Sequence, residues 1–244
     1  GTRYLALGTD RKLYLFSEGA LYDITPIRET ASLTNPFTTN GTTTVTVTDA
    51  SHGAAEGDFV TFDSFSTIDG LDMNQEFEIT TYVDANTYKV THTSTASGST
   101  SGGGGSGNAN YQITTGPATS TYGYGWGTET WGASTWDEPR SSSNVVVAAR
   151  NWSLDNFGED LIATALNGGT FIKDISGSID TRATALSNAP TASRFSLVST
   201  DTRHLLIFGT ETTIGNTATQ DDLLFRFSDR EDATDYTPVA TNEA

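Results

Sequence analysis

The 244-residue chain contains no cysteine, so disulfides and thiolate chemistry are both excluded, a pattern that fits folding in a reducing cytoplasm. Cationic side chains are scarce. There are 13 Lys and Arg against 30 Asp and Glu, a formal charge of −17, and the basic residues are scattered along the chain. Phosphate backbones and anionic membranes repel such a surface, which excludes nucleic-acid binding over the outer face. Solubility is the ordinary account of this charge. An acidic lining past which DNA slides without sticking is the functional one. No apolar run approaches the ~20 residues of a membrane-spanning helix, and no basic-then-apolar leader opens the chain. The first residue is Gly1 and the last four are Thr-Asn-Glu-Ala, as expected of a piece of a longer polypeptide. A single Met and a hydrophobic share of 35% leave little for helical cores.

What is plentiful is Thr, Gly and aromatic surface: 12 Phe, 9 Tyr and 4 Trp. Thr and the aromatics favour strands and Gly favours turns, so the composition reads as all-β. The opening RYLALGTDRKLYLFSEGALYDITP alternates apolar and polar residues in two strands around a Thr9-Asp10 turn, with a third short strand after them. EDLIATALNGGTFIKDIS (159–176) repeats the pattern around Asn167-Gly168, a strong hairpin signal. The segment 203–238 repeats it with a longer loop, and its Asp235-Tyr236-Thr237-Pro238 echoes Asp23-Ile24-Thr25-Pro26. Repeated hairpin-plus-strand units predict a β-propeller-like domain over 1–28 and 117–244, enough chain for three or four blades. Residues 29–116 have a different texture, with short Thr-rich strands and Gly or Asp-Ala-Asn turns. They predict an inserted small β-barrel or sandwich.

Inside that insert lies SGGGGSG (101–107). Gly102, Gly104 and Gly107 satisfy GxGxxG, but Asn108-Ala109 follow where a phosphate loop needs Lys and Ser or Thr, and no helix start comes after. Strand-like sequence of one module flanks the run on both sides, so 94–109 reads as a mobile natural loop without chemistry.

The three histidines, His52, His92 and His204, have no second His or Cys at ligand spacing, which argues against zinc. No GxSxG elbow is present. Ser153-Leu-Asp155-Asn-Phe-Gly158 begins like the Asp-box of sialidase propellers but has its Gly one residue late and no Trp. The carboxylates Asp229, Glu231, Asp232 and Asp235 lack the spacing of a calcium loop. The segment GYGWGTETWGASTWDEP (123–139) places Tyr124, Trp126, Trp131 and Trp136 among glycines. Such rings either pack a tight loop or stack on a sugar; packing predicts that Trp126 and Trp152 are mostly buried. No catalytic residue, cofactor or metal is expected.

Several stretches taken together, in particular WSLDNFGEDL (152–161) and FSDREDATDYTP (227–238), resemble the ring-forming tail proteins (nozzle, hub or stabilisation type) of short-tailed bacteriophages. Relatives commonly carry Trp where this chain has Phe227 and Tyr236, a conservative departure. The resemblance implies a propeller core with an inserted β-domain, and copies of the chain arranged in a six-fold ring around the DNA exit path. It implies a virion component assembled in the host cytoplasm beside portal adaptor and fibre proteins, with DNA passing and no membrane contact. It carries over no catalytic residues. The competing expectation is a glycan-binding tail module that uses Tyr124, Trp126, Trp131 and Trp136.

Overall fold

The computed structural model describes residues 4–114, 116 and 150–240. The chain divides into two compact units, one of residues 1–24 with 116–244 and one of 25–115. Among the described residues the regular structure is all strand apart from a 3-10 turn at 217–219, so the protein is all-β.

The first unit begins with an antiparallel meander of β1 (Leu5–Gly8), β2 (Leu13–Ser17) and β3 (Ala20–Asp23). Thr9 shapes the first turn by accepting from the Lys12 N–H at 2.8 Å, the local bond that makes Thr a turn residue.

The second unit is a barrel. Its strands are β4 (Ile27–Thr34), β5 (Phe37–Thr38), β6 (Thr44–Thr48), β7 (Phe59–Asp63), β8 (Glu76–Asp84), β9 (Thr87–Thr91) and β10 (Ser106–Gln112). They lie in the order β4-β10-β7-β8-β9-β6-β5. The ends of this order meet. β4 and β5 form nearly one strand, and beyond β4 the pairing with the β10 side continues through Asn35 N–H to Gly105 O at 2.7 Å. Phe37 and Gly103 then exchange bonds in both directions, at 3.2 and 2.8 Å. The sheet therefore curls until its ends meet at Phe37–Thr38, while β4, among the described residues, has a strand partner, β10, on one edge alone. Strict alternation sends Val45, Val47, Val60, Phe62, Phe77, Ile79, Tyr88, Val90, Ala109 and Tyr111 inward into one core, while Thr44, Thr46, Thr87 and Lys89 stay on the outer rows. β8 carries two register shifts, after Ile79 and after Tyr82. These bend it enough to pair with β7 at one end and β9 at the other.

The glycine run is part of this closure. The mobile loop expected over 94–109 is corrected here: β10 already starts at Ser106, and the glycines before it line the β4–β5 strand. Gly104 has φ +100° and its α-carbon faces the Phe37 ring, so that an added Cβ would sit 2.5 Å from the ring. A Cβ on Gly107 would lie 2.4 Å from the Asp63 carbonyl oxygen. Only glycine allows both approaches.

The barrel's entry and exit are neighbours, since Ile113 N–H donates to Pro26 O at 3.0 Å. The boundary falls at Ile24/Thr25, so Ile27 and Arg28, which the sequence assigned to the repeat domain, belong to a barrel strand. With a closed core of its own, segment 25–115 should fold alone. We expect it to melt in a single cooperative transition by circular dichroism; a flat melting profile would contradict its independence.

The first unit resumes with a middle sheet of β11 (Trp152–Phe157), β12 (Asp160–Ala165), β13 (Thr170–Lys173) and β14 (Thr184–Ala185), again in chain order. The β12–β13 hairpin turns over four residues, with Asn167 at φ +57°. A third meander follows: β15 (Phe195–Val198), β16 (Leu205–Phe208) and β17 (Phe225–Phe227).

The middle sheet is covered on both faces. Leu161 shares a cleft with Ala6 and Leu15 of the first sheet. On the same side Trp152 Nε1–H donates to Thr9 O at 2.8 Å, and Ala183 N–H donates to Ile24 O at 2.9 Å. On the opposite side Ile162 packs with Leu205 and Ile207 of the third sheet, and Thr164 Oγ1 bonds Ser196 Oγ at 2.7 Å. Successive β12 residues thus serve different sheets, which is the period-2 geometry of a strand buried on two faces. Among the described residues the three sheets form an open stack.

Candidate functional site

Among the described residues, the densest set of reactive side chains is inside the barrel. Asp49 follows β6, and the turn after it carries Ser51 and Gly53 at positive φ and folds His52 inward to 2% exposure. Tyr88 and Tyr111 are inward positions of β9 and β10. Their hydroxyls meet at 2.9 Å, and Tyr111 O–H donates to Asp49 Oδ2 at 2.6 Å. His52 Nδ1 accepts from Ala54 N–H at 3.1 Å, which leaves the proton on Nε2 to donate to Asp84 O at 3.0 Å. The Arg28 guanidinium donates to His52 O at 2.7 Å and lies over the Tyr111 ring at 5.2 Å from its centroid.

A carboxylate, two phenols and an imidazole could serve acid–base catalysis, but here every one is turned into the core. Both tyrosines are fully buried, beyond the reach of any substrate atom. Burial, together with the neighbouring phenol and Asp49, pushes the Tyr111 hydroxyl far above its ordinary range; burial also raises Tyr88. The cluster stitches β4, β9, β10 and the β6–β7 loop together.

The stitch makes the barrel sensitive to alkali. Below pH ~10 neither state ionises these phenols. Above it the unfolded chain loses both protons while the folded chain keeps them, so stability falls by about 1.4 kcal/mol per pH unit per tyrosine. We expect phenolate absorbance of Tyr88 and Tyr111 to appear only with loss of the β circular-dichroism signal. Titration of both while the barrel stays folded would contradict their burial.

The other histidines are likewise structural. His92 Nδ1 accepts from Ser94 N–H at 2.9 Å and its Nε2 faces Asp72 O at 3.2 Å, while His204 Nδ1 donates to Ser228 O at 2.8 Å. The carboxylates near the C-terminus form turns. Asp232 Oδ1 accepts from Thr234 N–H at 2.8 Å, and Asp235 Oδ1 accepts from Thr237 N–H at 2.9 Å. Among the described residues no three His, Cys, Asp or Glu side chains are placed to hold a metal ion. The segment that begins like an Asp-box is the β11–β12 hairpin. Its Asp155 Oδ2 accepts from Val198 N–H at 2.7 Å and so joins the middle sheet to the third.

Two anchors were not legible as functional residues in the sequence. Lys173, 2% exposed, donates from Nζ to Asp174 O at 3.0 Å, Ser178 O at 2.7 Å and Thr181 Oγ1 at 2.6 Å. Burial lowers its pKa, and Asp174, Asp180 and Asp160 oppose that shift. Glu211 is fully buried and accepts from Thr191 N–H at 3.1 Å, from the Thr191 hydroxyl and from Gly215 N–H at 2.9 Å. Alternation along TFIK, which puts Lys173 on the same face as buried Phe171, was the available signal for the first. Each ties a loop to its sheet.

Among the described residues four buried side-chain polar atoms lack a hydrogen-bond partner: Arg28 Nε, Thr61 Oγ1, Gln112 Oε1 and Tyr236 Oη. The Tyr236 ring fills the core between the middle and third sheets. An unpaired buried hydroxyl costs about 1–3 kcal/mol. Tyr236→Phe should therefore raise the melting temperature; a lower melting temperature would show that the hydroxyl is engaged.

The first unit has a cleft of about 440 Å³ between its first and middle sheets, lined by Tyr4, Asn156 and Glu159 over an apolar floor. Among the described residues that line it, no nucleophile is paired with a base. Trp152, expected to be mostly buried, is half-buried and packs against Gly8 and Phe171. Tyr124, Trp126, Trp131 and Trp136, the residues of the glycan-binding expectation, lie outside the described residues.

No known family profile matches the chain, and no curated protein does. Among solved structures it is similar to the Phage phi92 endosialidase, at 14% identity and a TM-score of 0.31, over 93% of this chain. The chain spans 37% of the length of that protein. A likeness at that level carries no conclusion about fold or activity.

Proposed function

We propose that the protein is a non-enzymatic structural component of a bacteriophage tail, one subunit of a homo-oligomeric nozzle- or hub-type ring through which genomic DNA leaves. The observation that carries this reading is the open three-sheet stack of the first unit. Its middle sheet is buried on both faces, and its two outer sheets each turn one face away from it. An antiparallel sheet can leave a polar face to water, but the faces turned outward here carry Leu5, Leu21, Phe195 and Phe225 exposed, and apolar faces of that kind mark contacts with neighbours. The resemblance of 152–161 and 227–238 to phage tail ring proteins agrees with this, and implies blade-like roles for the three meanders.

Charge supports the same reading. Hydrogen bonds from Asn74, Ser176, Ser178, Arg194 and Thr234 hold the carboxyls of Asp72, Asp174, Asp180, Asp222 and Asp232 below their usual range. On a chain of −17, ionised carboxylates such as these would repel the phosphates of a passing duplex.

Sedimentation velocity over a wide concentration range tests the assembly, with a defined multimer expected and a monomer throughout contradicting it. In a gel-shift assay at low salt, where phosphate contacts are strongest, the assembled protein should leave short duplex DNA unretarded. Retention that weakens steeply with salt would contradict the electrostatic part.

A further inference from the structure

The stack names its own contacts. On the first sheet the register places Leu5 beside Phe16 and Phe16 beside Leu21, with Leu7 beside Tyr14. This row is the face opposite Ala6, Leu13 and Leu15, which turn toward the middle sheet. Leu5 is 56% exposed, Leu21 54%, and Leu7 and Phe16 are exposed as well. On the third sheet Phe195, Phe208 and Phe225 stand in register across three strands. The first two rings are stacked at 4.6 Å with an interplanar angle of 6°. Leu197 and Phe227 complete the row, and Phe225 is 54% exposed. The residues between them, Ser196, Leu205 and Ile207, face the middle sheet.

Both outward rows are almost free of charge on a chain of −17. Asp23, at the edge of the first, is already paired with Lys12 at 3.0 Å and Arg182 at 3.2 Å. Arg226, between Phe225 and Phe227, turns inward and donates to Glu211 O and Thr212 O. Copies of an acidic chain can meet on these faces without bringing carboxylates together.

We infer that the outer face of the third sheet in one copy docks on the outer face of the first sheet in the next copy, continuing the stack from subunit to subunit. The middle sheet shows that this unit already packs sheet on sheet in both directions. The occupant is a second copy because each copy brings both faces, at opposite ends of one stack. Pairing like with like would leave an apolar end uncovered on every dimer, whereas the unlike pairing uses each face once and gives a heterologous contact that can close into a ring. A specific interface buries on the order of 1,000 Å², an area that the two rows and their rims would together have to supply. The inference rests on the ring reading and adds which surfaces form it.

Because the chain lacks cysteine, a double variant Leu5→Cys with Phe225→Cys can be treated with a short bismaleimide without background. A covalent ladder of dimers, trimers and higher multimers is expected from the double variant. A mixture of the two single variants should stop at dimers, and neither single variant alone should cross-link. Phe225→Arg should shift the sedimenting species at least tenfold in concentration toward monomer with unchanged circular dichroism; Val83→Arg, on the barrel, should not. A multimer that survives Phe225→Arg and yields no ladder would overturn this contact while leaving the ring intact. Cross-linking of a single variant to itself would overturn the unlike pairing. A monomer at every concentration would overturn both the contact and the ring.

Discussion

Gly107→Ala should destabilise the barrel by about 3 kcal/mol, the upper end of what overpacking costs. The added methyl would sit 2.4 Å from the Asp63 carbonyl oxygen and 2.8 Å from the Phe65 ring. Asp63 is fixed in β7, opposite Asn108 of β10, so the backbone cannot step aside without parting two paired strands. Gly104→Ala should cost a similar amount by a different route, because φ +100° strains any L residue and Phe37 blocks the space. All four tryptophans lie outside 25–115. Urea melts followed by far-ultraviolet circular dichroism should therefore show loss of the barrel transition, while the tryptophan signal keeps its midpoint. An unchanged circular-dichroism midpoint for Gly107→Ala would mean the run is a free loop after all.

Removing Lys173 should be the corresponding lesion in the other unit. Its ammonium fills three acceptors at once, and Lys173→Ala would remove all three charged hydrogen bonds and leave the space of a side chain that is itself 2% exposed. We expect a loss of about 3 kcal/mol, in line with charged hydrogen bonds made in buried surroundings. Lys173→Met keeps the stem but not the donors, and should recover less than half of that loss. Here the tryptophan-monitored transition should move and the barrel should not. Full recovery by Met would show that packing, rather than the ammonium, holds the 174–181 loop.

The two lesions mark what the sequence could and could not disclose. Strand class was legible because Thr, Val and aromatics alternate along TTVTV, FVTF and TYKV, and the period alone selects which residues face a core. The hairpins around Thr9 and Asn167 were legible from turn chemistry. β15 was not, because FSLV is a short strand whose exposed positions, Phe195 and Leu197, are as apolar as a core row and give no inward–outward contrast. The glycine run was misread for a similar reason. Poly-glycine has no periodicity of its own, and the need for close approach to Phe37 and Asp63 arises only once strands distant in sequence are paired. Lys173 and Glu211 are buried charges whose partners are mostly backbone groups, which leave no mark in composition. The isolation of the histidines argued only against zinc; that His52 and His92 are buried and that the ring nitrogens bond backbone groups was not legible.

The central claim is that identical copies assemble around a channel that DNA traverses. Single-particle electron microscopy of the multimer tests it most directly. The account predicts closed rings of one cyclic symmetry, each subunit offering its first sheet to one neighbour and its third sheet to the other around an acidic lumen wide enough for a duplex. Isolated monomers, open filaments, or a ring whose lumen is basic or closed would contradict it.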